Sequence, residues 1–136
     1  MSQLQDFLNN NSIEEMIEEV PISERFKDKQ GNYLKFKIAN IPMDEYKDIQ
    51  KACTKISKKG MAEFDSVSFS EKIVIKGTLD PNFKDAESIK SKGCNTPEQY
   101  LKKVLKTGEI IKLSERILIL SGFDNSLEEL IEEAKN

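Results

Sequence analysis

The chain contains no histidine among its 136 residues. It therefore lacks the side chain that most often serves as a general base or as a metal ligand. Its two cysteines, Cys53 and Cys94, are far apart and form no CxxC motif, a spacing that favours reduced, partly buried thiols over a disulfide or a metal pair. These absences argue against the commonest kinds of catalytic and metal centre.

Long apolar segments and an excess of one charge are also missing. No run approaches 18 apolar residues, and no basic segment followed by an apolar stretch opens the chain. We therefore expect no secretion signal and no membrane span, with the cytoplasm as the default location. The net charge is −3, with acidic and basic residues interleaved. This pattern argues against nucleic acid as the main partner, because such binding needs a basic stripe.

Glycines and carboxylates carry no recognisable chemical motif. The six glycines all fall at predicted turns or helix ends, and none belongs to a GxGxxG or GxxxxGK pattern. Paired glutamates such as Glu132 and Glu133 lie opposite predicted apolar stripes, where both carboxylates stay hydrated, whereas a catalytic pair needs one desolvated member. We expect no catalytic residue, no cofactor and no metal. The sequence predicts a non-enzymatic protein that functions by binding.

The last third of the chain has the clearest helical signals. Thr96, Pro97 and Gln99 form a predicted capping box for a helix that Gly108 would end. A second helix is expected from about Glu109 to Ser121, and a third after Ser126. Because short amphipathic helices are not stable alone, we expect these three to pack on one another as the densest part of the core.

The remainder of the chain predicts a mixed architecture. Residues 1–11 read as a flexible N-terminal arm, and 12–136 as one compact domain. Within it we expect a helix over 12–20, a β-hairpin over 22–38 with one wet face, and a helical region over 43–136. That region would open with a helix from 43 to about 58, with Ile56 on its apolar stripe and Lys58, Lys59 and Gly60 at its end. Residues 66–77 are ambiguous between strand and helix, with helix favoured, and Asp65 would be the cap of that helix. Asp85 would cap a short helix through Ile89. The predicted fold class is α+β and mainly helical, with the N-terminal hairpin packed on a helix and a C-terminal bundle of short helices.

Two segments of the chain match in polarity at all nine positions: SIEEMIEEV at 12–20 and SLEELIEEA at 126–134. General capping and amphipathicity explain the match, and an alternative is that both helices fit one kind of apolar groove, as an exchanging arm would. The candidate partner-binding residues are the apolar ones in these segments and in the N-terminal arm: Leu4, Phe7, Leu8, Ile13, Met16, Ile17, Leu127, Leu130 and Ile131.

The order of several segments resembles a known family. These are LQDFL, ISERFKDKQGN followed by LKFKI, LDPNFKDAESIKSKG, TPEQYLKKVLKTGEIIKLSERILILSGF and the acidic LEELIEEAKN. Together they span nearly the whole chain, and in this order they resemble the XkdN-like tail assembly chaperones of contractile-tailed phages and defective prophages of Gram-positive bacteria.

The resemblance implies a function without catalysis. Such a protein acts in the bacterial host cytoplasm, binds the tape measure protein, helps to recruit tail tube subunits and is absent from the mature particle. Alternatives are a small acidic adaptor or regulatory phage protein that binds a host factor, and a structural tail subunit. A homo-oligomer is also compatible with the sequence.

The resemblance also raises the question of a longer, frameshifted form of the chain, since many tail assembly chaperones are made in two lengths. Ala134-Lys135-Asn136 is compatible with a heptamer A-AAA-AAY, on which a ribosome can slip back by one base. An AAG codon for Lys135 would exclude this site.

Overall fold

A computed structural model describes residues 2–123 and 127–135. In chain order the elements are α1 (Gln3–Asn10), β1 (Ile17–Val20), β2 (Phe36–Ala39), α2 (Met43–Ala52), β3 (Thr54–Ile56), β4 (Ala62–Phe64), α3 (Ser66–Gly77), β5 (Thr78–Asp80), α4 (Ala86–Ser91), α5 (Pro97–Val104), α6 (Thr107–Leu120) and α7 (Leu127–Lys135). The predicted fold class, α+β and mostly helical, is confirmed.

The first sheet has three antiparallel strands in the order β1-β2-β5. Strand β2 supplies the buried side chains Phe36 and Ile38. The predicted turn near Gly31 is present: the Asp28 carboxylate accepts hydrogen bonds from the Gln30 and Asn32 amides, both at 2.9 Å. The first strand, however, lies earlier than the predicted hairpin over 22–38, because Ile17–Val20 pairs with Phe36–Ala39.

The helix predicted over 12–20 is therefore wrong, because residues 12–16 form no regular element and residues 17–20 form β1. Contacts with residues distant in the chain hold this segment in a non-helical conformation. The Met16 amide donates to the Asn40 side chain at 2.8 Å, and the Met16 carbonyl accepts from the Asn40 amide at 3.1 Å. Arg116 of α6 binds the Glu18 carboxylate through two hydrogen bonds, of 2.6 and 3.0 Å. Tertiary pairing of this kind overrides local helical propensity.

The helix predicted from 43 to about 58 ends at Ala52, and a small hairpin follows it. Strands β3 and β4 pair antiparallel around a turn at Gly60, whose φ is +78°. Lys58, Lys59 and Gly60, the predicted helix end, thus form a hairpin turn. Ile56, expected on the buried helical stripe, is exposed.

The ambiguous segment 66–77 is a helix, as favoured, and Asp65 caps it by accepting from the Ser68 amide at 3.1 Å. Helix α3 packs on both α5 and α6. Its Ile73 and Val74 are fully buried in the same cluster as Leu113 and Ile117 of α6. A methyl group at Gly77 would lie 2.6 Å from Ile117 Cγ2, so the absence of a side chain permits this close approach.

The predicted C-terminal bundle needs two corrections. Helix α5 ends at Val104, and Gly108 lies in the first turn of α6, so the break between the helices occurs before the glycine. Helix α7 has no buried residue. The third helix of the central packing is α3, which comes from the middle of the chain.

Candidate partner-binding surfaces

The capping pattern at Thr96 forms much as predicted. The Thr96 hydroxyl accepts from the Gln99 amide at 3.2 Å, and Pro97 occupies the first turn. The Gln99 side chain accepts from the Asn95 amide at 2.8 Å, one residue earlier than in a regular capping box. This local chemistry fixes the start of α5.

An ion pair joins the segment after β1 to the start of α6. Arg25 donates two hydrogen bonds to the Glu109 carboxylate, each 2.8 Å long, and a third to the Val104 carbonyl. Glu109 also accepts from the Lys106 amide at 2.7 Å. The hydrogen bonds from Arg25 hold the pKa of the buried Glu109 at about 2, below its ordinary value of 4.5. No local pattern predicts this ion pair, because Arg25 and Glu109 are 84 residues apart in the chain.

The N-terminal candidate residues divide into two groups. Leu4, Phe7 and Leu8 lie on α1, whose N-cap Ser2 accepts from the Gln5 amide at 3.0 Å. Of the other three, Ile13 and Met16 lie in the irregular segment before β1, and Ile17 is the first residue of that strand. All six are exposed, and Ile13 also lines a surface cavity of about 560 Å³. The structure thus leaves these apolar side chains outside the core, on two separate elements.

The C-terminal candidates Leu127, Leu130 and Ile131 are exposed on α7. Every glutamate of this helix is exposed as well, as the interpretation of a hydrated outer face requires. Although 12–20 and 126–134 match in polarity, the first is irregular at 12–16 and ends in a strand, whereas 127–134 is helical. Residue 126 lies outside the described residues. The two segments therefore do not present the same helical face.

A groove between α3 and α6 was not predicted. It has a volume of about 440 Å³ and is lined by Val67 and Glu71 of α3, Ile110 and Ile111 of α6, and Lys102 of α5. In a helix over 66–77, Glu71 falls four residues after Val67 and three before Val74, so the sequence signals a carboxylate on the same face as two valines. The ambiguity between strand and helix hid this pattern.

Groups that could support other chemistry are few in the described part of the chain. Both cysteines are free, as predicted, and both are buried, whereas the prediction was partial burial. Burial raises the pKa of the Cys53 thiol. Across residues 2–123 and 127–135 there is no group of histidine, cysteine or acidic side chains that could hold a metal ion. In the same ranges no helix has the length and apolarity needed to cross a membrane.

Comparison with known structures places the fold in an existing class. The crystal structure of the protein YqbN superimposes with a TM-score of 0.71 at 30% sequence identity, covering 91% of this chain and 99% of that one. The YqbN sequence from Bacillus subtilis, described as an uncharacterized protein, is 34% identical over 96% of this chain and 91% of its own length. The α+β fold described above is therefore one that a solved structure already contains.

The family follows from two further matches. XkdN of the phage-like element PBSX in Bacillus subtilis is 32% identical over 96% of this chain and 91% of its own length. The model of the phage XkdN-like tail assembly chaperone family matches residues 4–135. The chain belongs to the XkdN-like family of phage tail assembly chaperones, and the family predicted from the order of sequence segments is confirmed.

Proposed function

We propose that this chain is a non-catalytic chaperone that binds the tape measure protein and helps to recruit tail tube subunits during tail assembly. It acts in the host cytoplasm and is absent from the mature particle. Family membership supports a role in tail assembly, and the partners named here are those that the family resemblance implies.

The observation that carries the proposal is the apolar surface on two terminal helices. Leu4, Phe7 and Leu8 on α1, with Leu130 and Ile131 on α7, are all exposed although both helices are amphipathic. An amphipathic helix gains stability mainly when its apolar face is buried against another surface. A tape measure protein, with long apolar helical seams, supplies such a surface, and binding would protect those seams from aggregation.

The remaining sequence candidates form a third part of the proposed contact surface. Ile13 and Met16 precede the outer strand β1, and Ile17 is its first residue. The Met16 amide donates to Asn40 and Arg116 donates to Glu18, so the backbone that carries Met16 and Ile17 is held in place. We assign α1 and α7 the adaptable contacts and this segment the rigid one.

Deletion of the gene and analysis of particles test the role. We expect deletion to abolish full-length tails and complementation in trans to restore them, with the chain undetectable by mass spectrometry in purified particles. Stoichiometric recovery in particles would favour a structural tail subunit. Normal tails after deletion, together with capture of a host protein, would favour the adaptor.

A further inference from the structure

The groove between α3 and α6 lies toward the N-terminal ends of the two helices. Near their C-terminal ends the helices are in close contact at Gly77 and Ile117. In the groove, Val67 on one side and Ile110 with Ile111 on the other form two apolar walls. Val67 is 67% exposed and Ile111 46%, so this apolar surface remains accessible in the free chain. A groove between two helices is a shape into which a third helix packs by ridges and grooves.

A buried carboxylate lies in this groove. Glu71 is only 5% exposed, and among the described residues its Oε2 atom has no hydrogen-bond partner. Lys102 Nζ lies 3.4 Å from Oε2, close enough for an ion pair but not aligned for a hydrogen bond, and the lysine side chain is 62% exposed. A desolvated carboxylate with so little compensation is costly to keep, because buried charges need both a counter-charge and hydrogen-bond donors. Glu71 is therefore a group to which an incoming partner could supply the missing donor.

We propose that this groove binds an amphipathic helix of the tape measure protein whose apolar stripe contains one lysine or arginine. The apolar side chains of that helix would pack on Val67, Ile110 and Ile111, and its cation would donate to Glu71. This inference rests on the proposed function and adds the groove to the contact surfaces on α1, α7 and residues 13–17.

The charge of the groove selects this occupant over α7 of a second copy. Helix α7 carries four glutamates and one lysine. Its docking would bring four glutamates toward Glu71, and its single lysine, Lys135, stands in the last turn and is already 3.5 Å from the Glu132 carboxylate. A helix with a cation inside its stripe matches both the apolar walls and the acidic residue between them.

Three variants test whether the groove binds the tape measure protein from the same phage or prophage. Each variant is co-expressed with that protein, and the dissociation constant of the complex is measured with the purified components. Glu71→Gln keeps the shape of the side chain and removes its charge. Ile111→Ser removes an apolar wall residue. Ile119→Ser is the matched control, because Ile119 lies on the same helix, is 36% exposed and does not line the groove. Thermal unfolding of each free variant checks that folding is retained.

We expect Glu71→Gln and Ile111→Ser each to weaken binding by about tenfold or more, and Ile119→Ser to leave it unchanged. Replacing the arginine or lysine of the tape measure helix by glutamate should weaken its complex with the wild-type chain. The same replacement should restore binding to the Glu71→Lys variant.

If the wild-type chain forms no complex at all, the proposed function fails and the groove assignment fails with it. If the complex forms but tolerates both groove variants, or loses as much affinity in the control, the function stands and the groove assignment is wrong. Cross-linking of a photoreactive residue placed at position 111 to α7 of a second copy would also overturn the groove assignment.

Discussion

Glu109 shows how one side chain can join two distant parts of the chain. It is buried, receives two hydrogen bonds from Arg25 and caps the first turn of α6. Because its pKa is lowered from 4.5 to about 2 in the folded protein, the folded state binds the proton more weakly than the unfolded state. The stabilisation is therefore complete above pH 4.5 and is lost as the pH falls through about 2.

We expect Glu109→Gln to lower the free energy of unfolding at pH 7 by an amount on the order of 2 kcal/mol. Between pH 5 and pH 2 the difference between variant and wild type should shrink, since the wild-type carboxylate becomes protonated. Urea unfolding at several pH values measures both effects, with Glu132→Gln on the exposed face of α7 as the control. A difference that does not change with pH would contradict the assigned role of the ion pair.

Gly77 and Gly108 provide a matched pair of helical glycines. A Cβ atom at Gly77 would lie 2.6 Å from Ile117 Cγ2 and 3.2 Å from the Ala39 carbonyl oxygen, whereas no described atom outside its own helix backbone and chain neighbours lies within 4 Å of one at Gly108. We expect Gly77→Ala to destabilise by about 1–3 kcal/mol. Gly108→Ala should be neutral or stabilise by up to about 1 kcal/mol, because alanine favours helix. Equal effects on the unfolding temperature would show that α3 and α6 do not meet at Gly77.

At the level of elements, α6 and α7 are both amphipathic helices but differ in burial. Leu113 of α6 is fully buried, and Leu130 of α7 is exposed. We expect Leu113→Ala to cost about 2–5 kcal/mol through lost burial and a cavity, and Leu130→Ala about 0.5 kcal/mol or less. Chemical denaturation of both variants provides the comparison. A large loss for Leu130→Ala would mean that α7 packs on the domain in solution.

Local signals predicted the starts of α3, α4 and α5, because an N-cap is a short-range arrangement of one side chain and one amide. Asp65, Asp85 and Thr96 all accept the expected hydrogen bond. Segment 12–20 shows the limit of such signals, since its capping and apolar pattern is helical but its backbone pairs with β2. The β3–β4 hairpin was missed for a related reason, because its lysines and glycine also fit a helix end.

The candidate binding surfaces could be predicted from the sequence only where local patterns specify them. Exposure of Leu4, Phe7, Leu8 and the apolar face of α7 follows from short amphipathic segments at both ends of the chain. The groove at Glu71 depends on how α3, α5 and α6 meet, and no local pattern specifies that packing. The family could be predicted without knowing these surfaces, because the matching segments extend in order along almost the whole chain.

For the whole molecule, binding through apolar faces makes a specific prediction about salt. Acidic and basic residues are interleaved along the chain, so exposed charges should contribute little to the complex with the tape measure protein. At about 0.5 M NaCl the Debye length falls to roughly 4 Å, which screens exposed charges while apolar contacts and a buried ion pair persist. We expect the dissociation constant to change by less than about threefold between 0.1 and 0.5 M NaCl. Loss of the complex with salt alone would assign binding to the acidic helix faces instead.

The most direct test of the central claim is the fraction of tape measure protein that co-elutes with this chain in size-exclusion chromatography after co-expression. The account predicts that most of the tape measure protein elutes in a defined complex with the wild-type chain. A variant with Phe7→Ser, Leu8→Ser, Leu130→Ser and Ile131→Ser should fold normally, because all four positions are exposed, and should leave the tape measure protein aggregated. Separate elution of tape measure protein and wild-type chain, with no shared peak, would contradict the account.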